Sequence, residues 1–120
     1  MEDKFTVLIV DDEPGILDTM ADILSEMNFK VTIASDGYQA VNLMRSGSFD
    51  AVMMDIRMPG IDGIEALKRI KEMKPDAKVV LVTAYASEET ILASKKEGAS
   101  TVLYKPINLD KIESLLREKK

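Results

Sequence analysis

In the stretch VLIVDDEP, residues 7–14, Asp11 and Asp12 stand side by side after four apolar residues, one glutamate short of Pro14. Other apolar runs end in single reactive groups: AVMM (51–54) runs into Asp55, KVVLV (78–82) into Thr83, and TVLY (101–104) into Lys105. Carboxylates crowded together raise the cost of one another's ionisation unless a cation sits among them. With no His and no Cys in the chain, disulfides, thiolate zinc sites, cysteine nucleophiles, Ser-His-Asp triads and imidazole bases are excluded. Ligation by oxygen alone points to Mg²⁺ or Ca²⁺. The spacing of an EF-hand loop is absent. Mg²⁺ on two carboxylates, a backbone carbonyl and water is the better fit, because that ion keeps waters and shares its sphere with phosphate. Lys105 would supply fixed positive charge, and Thr83 a hydroxyl donor, to a transferring phosphoryl group. Asp55 is the natural nucleophile, accepting phosphoryl as an aspartyl phosphate. Lacking histidine, the chain carries no phosphohistidine of its own, so the donor is another protein or a small molecule.

These groups converge only if the elements beneath them take one particular arrangement. Five apolar runs rich in Val and Ile, at 5–10, 30–34, 51–54, 78–82 and 101–104, each precede a stretch of helical character. Their near-continuous hydrophobicity suits strands covered on both faces, hence a parallel sheet. Pro14 fits a first helical position, and Leu17, Met20, Ala21, Leu24 and Met27 fall on one arc, with Ile16 and Ile23 at its rim. A second helix over 37–46 offers Ala40, Val41, Leu43 and Met44 before Gly47, and a third over 63–73 offers Ile64, Leu67 and Ile70 before Pro75. Ser87 with Glu88 and Glu89 starts a fourth, which Gly98 ends. Asn108 caps a fifth whose Leu109, Ile112, Leu115 and Leu116 face inward. Strands alternating with helices imply right-handed crossovers and an open α/β sheet, which binds ligands beyond the carboxyl ends of its strands where the order reverses. With the order 2-1-3-4-5, that reversal lies between the first and third strands and gathers Asp11, Asp12 and Asp55.

A chain of 120 residues, 46% hydrophobic, fits a single domain over 1–120. Its net charge of −5, acids and bases interspersed, argues against binding nucleic acid or an anionic membrane directly. No apolar run approaches the roughly 18 residues of a membrane span, and the N-terminus lacks the order of a secretory signal, so a soluble cytoplasmic protein is expected.

Through VLIVDDEP, DAVMMDIRMPGIDG, VVLVTAYA and GASTVLYKP the chain resembles a response-regulator receiver domain of bacterial two-component signalling, over essentially its whole length. The resemblance implies a flavodoxin-like, doubly wound fold of five parallel strands in the order 2-1-3-4-5, with five helices. It makes Asp55 the phosphorylated aspartate and Asp12, Asp55 and the backbone carbonyl of Arg57 direct Mg²⁺ ligands, with Asp11 acting through water. Thr83 becomes the switch hydroxyl, and Lys105 the phosphate-contacting amine before a cis Pro106. It implies that a sensor histidine kinase docks on Gly15, Ile16, Thr19, Pro106 and Ile107. The chain would then catalyse its own phosphorylation and dephosphorylation without being a conventional enzyme. If the chain is complete, its output is protein–protein contact or onward transfer to a histidine phosphotransfer protein. One position departs from the family pattern: three residues before the lysine, where many receivers carry a rotating aromatic, stands Val102, and the nearby aromatic is Tyr104.

Blander readings exist for each group: Asp11 or Asp12 as a helix cap, Asp55 as an Asx turn, Gly60 and Gly63 as turn glycines, the eight Met as core filler. A phosphatase of the haloacid-dehalogenase type would need a D-x-D pair and a cap insertion, and neither is present. An interaction module with a decayed site would not keep all of these positions, and no glycine-rich nucleotide loop occurs.

Overall fold

The computed structural model describes residues 4–85 and 87–118. Five strands, β1 (Phe5–Val10), β2 (Phe29–Ala34), β3 (Ala51–Asp55), β4 (Val79–Thr83) and β5 (Thr101–Tyr104), alternate with α1 (Pro14–Glu26), α2 (Gly37–Ser46), α3 (Gly63–Met73), α4 (Glu88–Lys96) and α5 (Leu109–Arg117). All strand pairs are parallel and the order is β2-β1-β3-β4-β5, as the sequence leads one to expect.

Alternation along the strands divides the core in two. Leu8, Val10, Val52, Met54, Val79 and Leu81 face α2 and α3, meeting Ala40, Val41, Met44, Leu67 and Ile70. Val7, Ile9, Met53, Val80 and Val82 face α1 and α5, meeting Leu17, Met20, Leu24, Ile112 and Leu116. Since successive side chains of a strand point to opposite faces, a run with no polar interruption fills both layers at once. Helix α4 is the exception, burying only Ser94, whose hydroxyl donates to the Thr90 carbonyl. Among the described residues, no helix is long and apolar enough to cross a membrane.

Local signals set the helix starts. Asp62, Ser87 and Asn108 cap α3, α4 and α5, each side chain accepting an amide hydrogen from the first turn, and Asp36 does the same for α2. Helix α1 differs: its N-cap is Glu13, whose side chain makes no cap bond, so neither Asp11 nor Asp12 caps it. Asp11 Oδ1 instead accepts from the Glu13 amide at 3.0 Å. Asp55 and Thr83 are the last residues of β3 and β4 rather than the first beyond them.

Two further expectations give way. Leu109 is 41% exposed rather than inward, because the first turn of α5 overhangs a groove beside α1, while Ile112 and Leu116 one and two turns on are fully buried and Leu115 is half-buried. Gly63 is no turn glycine. It opens α3 so close to β3 that a Cβ there would lie 2.4 Å from the Asp55 carbonyl oxygen, and its amide donates to the Ile56 carbonyl at 2.7 Å. Gly60, with φ of +82°, is the residue that makes the turn.

Candidate functional site

The parallel register brings the acids together. Val10 pairs with Met54 and Asp55 with Val82, so the ends of β1, β3 and β4 lie level at the carboxyl edge of the sheet. There Asp11, Asp12 and Asp55 each offer a carboxylate oxygen, all within 4.8 Å of one another. Asp11 and Asp55 are buried, and Asp12 is exposed.

Lys105 reaches over from β5, its Nζ 3.1 Å from Asp55 Oδ2 and 3.5 Å from Asp11 Oδ2. One ammonium thus serves two buried carboxylates. Burial pushes the Asp11 carboxyl above its ordinary value; the Glu13 amide and the Lys105 charge oppose this, and the charges of Asp55 and Asp12 add to it. Burial pulls the Lys105 ammonium down, but the hydrogen bond and charge of Asp55, joined by those of Asp11, outweigh it and leave the group above its ordinary value. The local charge balance is therefore negative, the condition that favours a bound cation.

The acids differ in what they have free. Asp11 uses Oδ1 on the Glu13 amide and Oδ2 on Lys105. Asp55 uses Oδ1 on the Arg57 amide at 3.3 Å, which is the Asx turn read as the blander alternative, and Oδ2 on Lys105. Among the described residues the Asp12 carboxylate makes neither hydrogen bond nor ion pair, and the Arg57 carbonyl accepts no hydrogen bond. All four groups suit a hard cation that takes oxygen ligands and keeps water.

Thr83 is buried at the same edge, its hydroxyl donating to the Tyr85 carbonyl at 2.8 Å and accepting from the Tyr85 amide at 3.1 Å. Val102 packs, half-buried, against the core layer of α2 and α3, and Tyr104 stands exposed at the end of β5. The Lys105–Pro106 peptide is cis. Gly15, Ile16, Thr19, Pro106 and Ile107 line one open groove of about 350 Å³ between α1 and the start of α5, with Leu109 at its rim.

The sequence did not point to the guanidinium of Arg57 over the Tyr85 ring, 4.9 Å from its centroid. Nor did it point to Lys78, whose buried ammonium donates to the carbonyls of Leu115 and Glu118 at the end of α5. No local pattern marks either, since each joins segments far apart in the chain.

A doubly wound sheet of this order, with its acids at the switch point and a lysine from the last strand, is the architecture of response regulator receiver domains. The sequence profile of that family matches residues 7–117, and the chain belongs to it. Among its relatives is sporulation initiation phosphotransferase F of Bacillus subtilis, 34% identical over 93% of this chain and 90% of that protein. The transcriptional regulatory protein ZraR of Klebsiella oxytoca is 37% identical over 97% of this chain, which spans only 26% of that regulator. A crystal structure of the response regulator TrrA from Thermotoga maritima, in complex with Mg(2+)-BeF, matches with a TM-score of 0.82 at 36% identity, covering 91% of this chain and 93% of that one.

Proposed function

We propose that residues 1–120 act as one receiver domain whose Asp55 takes a phosphoryl group in a Mg²⁺-dependent reaction. The observation that carries this is the convergence of Asp11, Asp12 and Asp55 within 4.8 Å, with Lys105 on Asp55. Asp12, Asp55 and the Arg57 carbonyl would hold Mg²⁺ directly and Asp11 would act through water, as the family resemblance implies; the Asp12 carboxylate and the Arg57 carbonyl have no hydrogen-bond partner to give up among the described residues. The bound ion neutralises the acids and supplies positive charge to the phosphoryl oxygens. A carboxylate oxygen of Asp55 bonds to phosphorus as the phosphorus–nitrogen bond of a phosphohistidine breaks. Lys105 then exchanges its bond to the free carboxylate for one to the phosphoryl group, and Thr83 donates to another of its oxygens.

The donor is a sensor histidine kinase in the cytoplasm. Its helices dock in the groove lined by Gly15, Ile16, Thr19, Pro106 and Ile107. The same site takes phosphoryl from small phosphodonors and hydrolyses it slowly, catalysing its own modification. Output passes through altered protein contacts or onward transfer to a histidine phosphotransfer protein. The likeness to a sporulation phosphotransferase along 90% of that protein supports the second route.

Labelling with a small phosphodonor and Mg²⁺, read by intact mass, tests the site: the wild-type chain gains one phosphoryl group and Asp55→Asn none, whereas labelling of that variant would sink the assignment. Ile16→Asp tests the groove. It slows transfer from the kinase and spares labelling by the small donor; equal loss in both assays counts against docking there.

A further inference from the structure

Two side chains at the site's rim, those of Arg57 and Tyr85, have no part in phosphoryl transfer as described, yet they bear on the group that must move. Thr83 is 1% exposed and its hydroxyl hydrogen is committed to the Tyr85 carbonyl, while its hydroxyl oxygen accepts from the Tyr85 amide. To serve a phosphoryl oxygen, Thr83 has to release that carbonyl, and the backbone at residues 84–85 has to turn with it. Tyr85 is 68% exposed, so burial does not hold it. What it meets is the Arg57 guanidinium, stacked 4.9 Å from the ring centre. Arg57 is itself tied down, since its amide donates to Asp55 Oδ1. The contacts form one bridge across the crevice, Asp55 to Arg57 to Tyr85 to Thr83. It joins the loop after β3 to the loop after β4.

We propose that the Arg57–Tyr85 stack is a latch that holds the Thr83 hydroxyl turned away from the acceptor, making Arg57 and Tyr85 positioning residues for the switch. The inference rests on the roles given above to Asp55 and Thr83. A cation over an exposed ring contributes modestly, enough to bias a two-state loop about two- to fivefold. A phosphoryl group overcomes that bias by offering Thr83 a charged acceptor, which makes a stronger hydrogen bond than the Tyr85 carbonyl. The latch therefore works as a threshold: it suppresses the switched conformation in the resting chain and yields once the acceptor is charged.

Beryllofluoride with Mg²⁺ is the probe, titrated into the full chain and followed by ¹⁹F NMR. Tyr85→Ala and Tyr85→Leu bind it about two- to fivefold more tightly than wild type, because neither can stack under a cation. Tyr85→Phe, which keeps the ring, binds as wild type does. The gain from Tyr85→Ala vanishes in a Thr83→Ala background, where no hydroxyl remains to be held, and in an Arg57→Gln background, where no cation remains to hold it. Unchanged or weaker binding by Tyr85→Ala overturns the latch, and so does a gain that persists without Thr83, because the ring would then act on access alone. If the wild-type chain fails to bind, or Asp55→Asn binds equally well, the site assignment itself falls and the latch falls with it.

Discussion

The two ends of the sheet handle charge in opposite ways. At the base, polar groups are closed within the protein. The Thr6 amide and hydroxyl both donate to Asp50 Oδ2, and the Asp50 amide donates back to Thr6 Oγ1. Lys78 is buried against the carbonyls that end α5. Arg117 donates to the Met27 carbonyl and stacks on the rings of Phe29 and Phe5, 4.3 and 5.4 Å away. At the carboxyl edge two of three clustered carboxylates share one ammonium, and among the described residues the Asp12 carboxylate is left without a partner. Polar groups satisfied inside the fold serve its stability, and charge left in surplus is held for something outside it.

The comparison breaks if a change at the base disturbs the chemistry, or one at the edge disturbs the fold. Lys78→Met should carry the largest cost in stability, about 2 kcal/mol, because hydrogen bonds from a charged donor are lost and the last carbonyls of α5 go unserved. Guanidinium unfolding would register it, with labelling of Asp55 unchanged in the folded protein. Asp12→Asn should act the other way. We expect Mg²⁺ affinity to drop by about tenfold or more, judged against the effect of even outer-sphere partners, while the metal-free fold keeps or gains stability as repulsion among the acids is relieved. A magnesium titration by NMR and a thermal melt without metal, run on the same sample, separate the two effects.

The smallest expected effect is on pH dependence. Asp11 has its pKa raised from 3.8, so the fold binds this proton more tightly than the unfolded chain does. Below pH 3.8 the group is protonated in both states and its contribution to stability is complete; as pH rises through the higher folded value, that contribution is lost. Without metal, melting temperatures across this acid window should reveal the loss, and Asp11→Asn should abolish it. Proton and metal compete for the cluster, so Mg²⁺ affinity should climb through the same window as Asp11 ionises.

Much of this was open to reading from the chain because it is local. Pro14 announces a helix start by its fixed backbone angle, and Ser87 and Asn108 do so through side-chain bonds that close within three residues. The apolar runs give the strands to within a residue of their observed bounds. Periodicity misplaced Leu109, which shares the inward phase of Ile112 and Leu116 but lies in the first turn of α5, exposed along the groove beside α1. Gly63 read as a turn glycine; that it must be glycine for another reason follows from how near α3 comes to the end of β3. Lys78 read as the first residue of a strand, and nothing nearby in sequence marks the carbonyls it serves in α5.

The sequence by itself determined the alternation of strand and helix, the residues available for chemistry and the kinds of chemistry excluded, because these depend on residue type and short-range pattern. Only the tertiary structure decided that Lys105 rests between Asp55 and Asp11, that among the described residues Asp12 alone of the three acids has its carboxylate unpartnered, and that Tyr85 ties Thr83 to Arg57. Pairings of this kind depend on strand register and loop path, and groups tens of residues apart acquire a distance only when the whole sheet has closed.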